Sequence, residues 1–293
     1  MEQKDNWIKS GEIASQIMAK AVKISKPQVP LLEIAETLEK EVEKLKVKWA
    51  FPINLSINEI AAHYSPFNED KTIASGLMKI DLGIIVNGCI SDIAKSVDLT
   101  PENKHKDLIQ ASETALSNAL KIAKNNIQIR EIGKTIHDSI VKMKFSPVRN
   151  LSGHQMEKFM LHAGLNIPNY DNGNTEELKP GVYAIEPFAT SGQGLVSDSK
   201  PSGIYMLQHL KPVRDSKTRE ILGFIEKEYS TLPFSGRWLI KKFGLRAQLS
   251  LKTLEQNEVL HHFSQLVENS RMPVSQSEHT IMVEKDKISV LTA

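Results

Sequence analysis

The chain has 293 residues, which is enough for one large domain or two of ordinary size. Apolar residues make up 40% and charged residues 25%, a globular composition that excludes disordered and fibrous proteins. The net charge of +2 is too small to draw nucleic acid or an anionic membrane to the molecule as a whole. A lone cysteine, Cys89, excludes an internal disulfide, and we expect a cytoplasmic protein.

The beginning of the chain predicts no export signal. Residues 1–6 are polar apart from Met1, and no apolar run follows them, so we expect neither a signal peptide nor a lipid anchor. No stretch reaches the roughly 18 apolar residues that a membrane-spanning helix needs. We therefore expect no contact with a membrane.

The first elements are two amphipathic helices and a hairpin. Apolar residues recur at intervals of three and four over 8–22 and 31–45, which predicts a helix in each range. Alternating apolar residues then flank Asn87-Gly88 over 78–97. Because Asn-Gly suits a two-residue turn, this range predicts a β-hairpin.

The remaining elements mix helices with antiparallel strands. Helical spacing returns over 108–140, with an interruption at Asn125-Asn126, and short strands with polar turns follow over 146–190. A mainly helical segment rich in basic residues is predicted over 202–262, and a second hairpin over 278–292. This order favours an α+β fold.

The first hairpin brings two acidic side chains together. Aspartate is uncommon within strands, yet Asp81 and Asp92 stand among apolar residues. If Asn87 and Gly88 form the turn, Gly83 lies opposite Asp92, and Asp81 becomes its diagonal neighbour on the same face. Two ionised carboxylates there repel each other, so either one carboxyl holds a proton or a cation lies between them. The alternative is that these aspartates lie at strand ends in water.

Four further residues fit a metal site when taken together. His154 follows a glycine, His162 comes eight residues later, and Glu186 and Glu278 stand in apolar strand contexts. A lone histidine is more often a packing or surface residue than a ligand. Combined with the two aspartates, however, the set has the composition of a carboxylate-rich site for two divalent cations.

Eight sequence motifs carry a resemblance to a known family. They are AFPINLSINEIAAHY at 50–64, KIDLG at 79–83, NLSGH at 150–154, LHAG at 161–164, AIEPFAT at 184–190, TLPF at 231–234, RWL at 237–239 and EHTI at 278–281. In these motifs the chain resembles the type II methionine aminopeptidases, in their short archaeal form. The resemblance spans nearly the whole chain and implies an α+β pita-bread fold.

The resemblance also implies an activity and a set of metal ligands. The family removes the initiator methionine from nascent proteins with a small second residue, using water or hydroxide held between two divalent ions such as Co, Mn, Fe or Zn. The ligands fall on Asp81, Asp92, His154, Glu186 and Glu278. Asp81 would chelate one ion, Asp92 and Glu278 would bridge both, and His154 and Glu186 would hold the other.

Three residues would act on the substrate according to the same resemblance. Glu186 would accept and pass on the proton, His162 would donate toward the carbonyl oxygen, and His63 would position the substrate near the scissile bond. Phe51 and Leu161 would line the methionine pocket. For Phe263, where relatives often have tyrosine, the two interpretations are a pocket wall and an ordinary core residue.

The chain departs from the family pattern near the ligands. The segment 74–77 is shorter than in relatives, and Ile93 replaces the hydroxyl or thiol residue expected after Asp92. Lys95 and Ser96 also replace apolar or small residues. We expect these changes to alter the support of the metal ligands without removing one.

The long interval between Glu186 and Glu278 predicts an insertion, as in type II members. We expect a catalytic domain of residues 1–195 plus 266–293 and a helical insertion subdomain of 196–265. Residues 231–254 carry five basic residues and no acidic one, which predicts either a solvated face or a transient ribosome contact. The alternative function is that of a weakly catalytic homologue that binds ribosomes or nucleic acid. We expect a monomer.

Overall fold

Seven helices occur within residues 2–293, the part of the chain that this computed structural model describes. They are α1 Glu2–Ile24, α2 Leu31–Lys44, α3 Lys106–Ile122, α4 Ile129–Lys142, α5 Ser216–Glu228, α6 Gly236–Phe243 and α7 Arg246–Gln256. The predicted helices over 8–22, 31–45 and 108–140 are confirmed, the last as a pair separated at Asn126, whose φ is 65°. None of the described helices combines the length and apolar content that a bilayer crossing requires.

Fifteen strands within the same residues form three antiparallel sheets. They are β1 Lys48–Ile57, β2 Ile60–Ala62, β3 Leu77–Val86, β4 Cys89–Asp98, β5 Ser146–Pro147, β6 Ser152–Met156, β7 Asn166–Pro168, β8 Gly181–Ile185, β9 Phe188–Thr190, β10 Val196–Leu207, β11 Phe234–Ser235, β12 Leu260–Glu268, β13 Val274–Gln276, β14 Glu278–Val283 and β15 Ile288–Val290. The largest sheet has the order β1-β3-β4-β14-β8-β6-β7, with β15 paired to β14. The α+β prediction is confirmed.

Helices cover one face of the largest sheet, and side-chain alternation explains why. In β3 the even-numbered Ile80, Leu82 and Ile84 are fully buried in a core shared with α1 and α2. Ile281 and Tyr183 on β14 and β8 pack in the same way with α3 and α4. Burial of each such side chain contributes roughly 1.5–3 kcal/mol, which fixes the strand register. The opposite face carries polar side chains together with a further buried apolar cluster.

The two predicted hairpins are confirmed. Asn87 and Gly88 have φ values of 50° and 90°, which suits a two-residue turn matching the strand twist. Val86 pairs with Cys89, and Gly83 pairs with Asp92, the predicted register. The second hairpin joins β14 to β15 at the end of the chain.

The segment 196–265 is only partly helical. The prediction of mainly helix over 202–262 is wrong at both ends, because β10 runs to Leu207 and β12 begins at Leu260. Much of β10 is exposed, so its sequence lacks the apolar alternation that indicates a strand. Helices α5, α6 and α7 lie between these strands. The predicted domain boundaries stay a prediction, and β12 continues across the expected boundary at 265.

Candidate metal centre

Asp81 and Asp92 face a common cavity from neighbouring strands. They lie on the face of the β3–β4 pair opposite the helices, in the predicted diagonal arrangement. The hydroxyl of Thr280 on β14 accepts a hydrogen bond from the Asp92 backbone N–H at 2.7 Å and donates to the Asp92 carbonyl oxygen at 2.8 Å. This pair of bonds fixes β4 to β14, and with it the position of the Asp92 carboxylate.

Three more candidate ligands come from the strands beside these two. Since β4, β14, β8 and β6 are neighbours, the sheet brings together Asp92, Glu278, His154 and Glu186, the last directly after β8. The Nε2 atom of His154 lies 3.6 Å from Asp92 Oδ2 and 3.8 Å from Glu186 Oε1. These distances are too long for hydrogen bonds, and they suit groups that surround a shared cation.

The donor atoms fit a metal better than they fit one another. One ligand atom from each of Asp92, His154 and Glu278 lies within 4.8 Å of the other two. Asp81 Oδ1, Asp92 Oδ1 and Glu278 Oε1 are buried without a hydrogen-bond partner. Leaving a buried polar group unpaired costs about 1–3 kcal/mol, and more for a charge. Carboxylate oxygens and an imidazole nitrogen are ligands that divalent cations accept.

Burial and mutual repulsion disfavour negative charge on all four acidic side chains in the protein alone. Burial raises the pKa of Asp92 to about 8. Burial, followed by the charge of Asp92, raises the pKa of Asp81, Glu186 and Glu278 well above the usual range. Divalent cations would reverse this preference, because an adjacent positive charge favours the ionised carboxylate.

The histidines of the site are held in their neutral form. Burial lowers the pKa of His63 and of His154 to about 4. Burial of the His162 ring, followed by the neighbouring His154, lowers the pKa of His162 to about 4, although the residue as a whole is exposed. The rings of His154 and His162 meet edge to face with centroids 4.3 Å apart. A neutral imidazole can ligate a metal or share one N–H in a hydrogen bond.

Sequence reasoning missed Gln276, which connects two of the acidic groups. Its Nε2 donates to Asp81 Oδ2 at 3.2 Å and to Glu278 Oε2 at 3.4 Å. The hydroxyl of Ser96 donates to the Gln276 carbonyl oxygen and accepts from its N–H, each at 2.8 Å. Only the position of Gln276 two residues before Glu278 could have indicated this role. Ser96, one of the departures from the family pattern, therefore supports the site through Gln276.

All the predicted site residues line one cavity. Its volume is about 340 Å³ and its walls include Phe51, His63, Asp81, Asp92, His154, Leu161, His162, Glu186, Phe263 and Glu278. Gly83 makes room for the Phe51 ring, because a Cβ at that position would lie 2.4 Å from a ring carbon.

Two other departures from the family pattern lie away from the cavity. Ile93 is in the core on the opposite face of β4, and Lys95 is exposed.

The chain is similar to known metallopeptidases. The family model described as "Metallopeptidase family M24" matches residues 5–226. A methionine aminopeptidase of Pyrococcus abyssi is 43% identical over 293 residues, which cover 98% of this chain and 99% of the relative.

Solved structures agree in fold. A structure described as a thermophilic Arx1 has a TM-score of 0.83 at 16% identity, covering 98% of this chain and 90% of that one. A methionine aminopeptidase of Thermotoga maritima has a TM-score of 0.70 at 19% identity, covering 98% and 95%. At these identities the likeness concerns the fold alone, and it confirms the pita-bread fold that the family resemblance implies.

Proposed function

Since the chain belongs to metallopeptidase family M24, we propose that it is a methionine aminopeptidase that removes the initiator methionine from nascent proteins. Relatives that bear this name match almost the whole chain at about 40% identity. The observation that carries the proposal is the buried group of Asp92, His154 and Glu278, whose ligand atoms converge. The relatives give no comparable support to the alternative of a weakly catalytic binding protein.

The five candidate ligands would hold two divalent ions. Asp81 would chelate one ion, Asp92 and Glu278 would lie between the two, and His154 and Glu186 would hold the second. When bound, such ions supply a water of lowered pKa and positive charge for the developing oxyanion. Carboxylate and imidazole ligands accept Co, Mn, Fe and Zn alike, so the identity of the ions depends on their availability.

Side chains of the chain would move the protons. Glu186 would take a proton from the attacking water and pass it to the leaving amine. The neutral His162 would donate a hydrogen bond to the carbonyl oxygen as negative charge develops there. His63 would hold the scissile nitrogen, and its Nδ1 lies 3.2 Å from the Ser264 carbonyl oxygen. Since a carbonyl oxygen only accepts, Nδ1 carries the proton, which leaves Nε2 as an acceptor for a substrate N–H.

An apolar pocket would select methionine. The buried Phe51 and the half-buried Leu161 and Phe263 all line the cavity that holds the ligands. A side chain larger than that of a small second residue would be excluded sterically beyond the metal centre. Phe263 is only half-buried, which favours a pocket wall over an ordinary core position.

We also propose that the chain is a type II methionine aminopeptidase. It is supported by the segment 196–265, in which three helices separate β10 from β12.

We also propose that the protein acts in the cytoplasm as a monomer. Sedimentation velocity at micromolar concentration checks the oligomeric state, and a dimer would contradict it.

A transient ribosome contact through the basic stretch 231–254 is a second proposal. Three basic residues on α6 and α7 are exposed, namely Lys241, Lys242 and Arg246. Arg237 is buried, so it is not available for a contact with phosphate. Clustered exposed cations are what phosphate contacts require. Changing these three exposed residues to Glu should reduce co-sedimentation with ribosomes while methionine release persists. Unchanged co-sedimentation would contradict the contact.

Methionine release from defined peptides tests the proposed function. Purified protein is given Mn, Fe, Co or Zn and then Met-Ala or Met-Lys peptides. We expect metal-dependent release from Met-Ala peptides only, and none from Asp92→Ala. Release that survives chelation, or equal release from both peptides, would contradict the proposal.

A further inference from the structure

One edge of β12 is unpaired next to the cavity. β12 pairs along its length with β10, from Glu268 to Leu260. On its other side β2 pairs only with Leu266 and Val267. Among the described residues, therefore, no strand pairs with that side of β12 over 260–264. Unpaired backbone N–H and C=O groups at a sheet edge are a template for another strand.

This edge leads from the metal centre to the surface. Leu266 and Phe263 line the cavity, residues 262–264 are half-buried, and His261 is exposed, whereas the side chain of Leu260 is buried. β2 ends at Ala62, and the next residue, His63, contacts the Ser264 carbonyl oxygen through its ring. The unpaired part of β12 thus begins beside the residue proposed to hold the scissile nitrogen.

Three aromatic rings lie along this edge, between the metal centre and the surface. The ring centroids of His63 and Phe263 lie 5.5 Å apart, and those of Phe263 and His261 lie 4.5 Å apart. An extended chain advances about 3.3 Å per residue, so these rings span at most roughly three residues of a bound peptide.

We propose that the substrate chain beyond the scissile bond binds as an added β-strand on the free edge of β12, with its third to fifth residues opposite 260–264. The proposal rests on the proposed function, because His63 defines where the leaving chain starts. Strand addition recognises the peptide backbone through main-chain hydrogen bonds. That suits an enzyme whose substrates share their first residue and differ beyond the second.

A series of N-methylated peptides tests the pairing. The substrate is Met-Ala-Ser-Ser-Ser amide, methylated singly on the backbone nitrogen of residue 3, 4 or 5. In a bound strand alternate N–H groups point to the partner. We expect kcat/KM to fall about tenfold where the N–H points to β12, the equivalent of about 1.4 kcal/mol, and to change less than about twofold at the neighbouring positions. Equal loss at every position, or no loss at any, would overturn the proposal.

Met-Ala amide is the control, because it ends before the proposed strand begins. If it and the pentapeptide both fail to release methionine, the proposed function is wrong. If it is cleaved but the alternation is absent, only the strand addition is wrong. The substitution His261→Ala should keep the alternation, because main-chain groups carry the pairing.

Hydrogen exchange tests the same edge from the protein side. The ligand is the pentapeptide with its scissile amide replaced by CH2–NH, and free methionine serves as the matched control. We expect the pentapeptide analogue, and not methionine, to slow amide exchange within 260–264. Exchange in α4, on the helical face of the sheet, should not change. Unchanged exchange within 260–264 at saturating analogue would overturn the proposal.

Discussion

At the scale of single residues, Asp92 has the central position in the site. Its carboxylate is buried, its backbone is fixed by Thr280, and its charge contributes to the raised pKa values of Asp81, Glu186 and Glu278. The Asp92 carboxylate therefore affects each of the other three acidic groups of the candidate site. Changes at Asp92 should alter metal binding more than folding.

We expect Asp92→Asn to abolish metal-dependent activity. The amide keeps the shape of the carboxyl group, which holds a proton at neutral pH in the metal-free protein, so the fold should remain. Without the negative charge, metal affinity and methionine release should each fall at least about 100-fold. Calorimetric metal titration and a release assay measure the two effects. Asp138→Asn on the exposed surface of α4 is the control, and full activity of Asp92→Asn would contradict the assignment.

Gln276→Leu should weaken metal binding without removing a ligand. The amide of Gln276 orients Asp81 and Glu278, and loss of such support typically lowers metal affinity about 10–100-fold. The exposed Gln110→Leu on α3 should have no effect. Activity should recover when the metal concentration is raised, whereas an activity loss that excess metal leaves unchanged would exclude the orienting role.

Residue patterns led to the candidate ligands, but they did not indicate Gln276, which hydrogen-bonds two of them. Asp81 and Asp92 followed from an Asn-Gly turn and strand alternation, which are local rules. His154, Glu186 and Glu278 needed the family resemblance, because nothing local connects them. Gln276 was missed because an amide in a strand has no distinctive pattern until its neighbours across the sheet are known.

At the scale of elements, the β3–β4 hairpin shapes the pocket through Gly83. In Gly83→Ala the added Cβ would lie 2.4 Å from the Phe51 ring, which must move. We expect a higher KM for methionyl peptides with a smaller change in kcat. Gly223→Ala in α5 is the matched control, because nothing lies within 4 Å of the added Cβ. An unchanged KM in Gly83→Ala would show that Phe51 does not line the methionine pocket.

A buried ion pair fastens α6 to α2. Arg237, with only 4% of its side chain exposed, donates to both oxygens of Glu39 at 2.9 and 2.6 Å, and the Trp238 ring N–H donates to the same carboxylate. Removing one partner of such a pair costs about 3–5 kcal/mol. Glu39→Gln should therefore lower the free energy of unfolding by that order in urea titrations.

The surface pair of Lys217 and Glu220 is the control for this experiment. The two side chains are 39% and 55% exposed, so Glu220→Gln should change the free energy of unfolding by less than about 1 kcal/mol. A similar small effect of Glu39→Gln would show that the contact between α2 and α6 adds little to stability. The pairing itself could not be predicted from the sequence, because about two hundred positions separate its partners.

At the scale of the whole molecule, metal removal should make stability depend on pH. An unfolded aspartate releases its proton near pH 4, whereas Asp92 in the metal-free fold holds it to about pH 8. Between these values the folded state binds more protons, so the free energy of unfolding falls as pH rises. The slope is up to about 1.4 kcal/mol per pH unit for each such group, and Asp81, Glu186 and Glu278 have the same sign.

The range from pH 6.5 to 8 avoids the opposing effect of the buried histidines. His63 and His154, with pKa values of about 4, act in the opposite direction, but only below about pH 6.5. Burial lowers the pKa of Lys79 to about 7, so Lys79 opposes the trend above pH 7. It is one group, whereas four acidic side chains produce the trend. We expect the melting temperature in EDTA to fall across this range and the fall to disappear with saturating Mn. A rise in EDTA would contradict the account.

The convergence of distant strands is what the sequence alone could not predict. Strand existence and hairpin register followed from local patterns, and the fold class followed from their mixture. The neighbours β4, β14, β8 and β6 are far apart in the chain, so their order depends on long-range packing that spacing does not encode. The same limit explains the error over 202–262, where polar, exposed β10 gives no strand pattern.

Coupled metal titration and methionine release test the central claim most directly. Metal-free protein is titrated with Mn while release from a Met-Ala peptide is followed in the same samples. We predict that two ions bind per chain and that activity appears as the sites fill, with neither effect in Asp92→Asn. Full release in the metal-free protein, or metal binding unchanged in Asp92→Asn, would contradict the account.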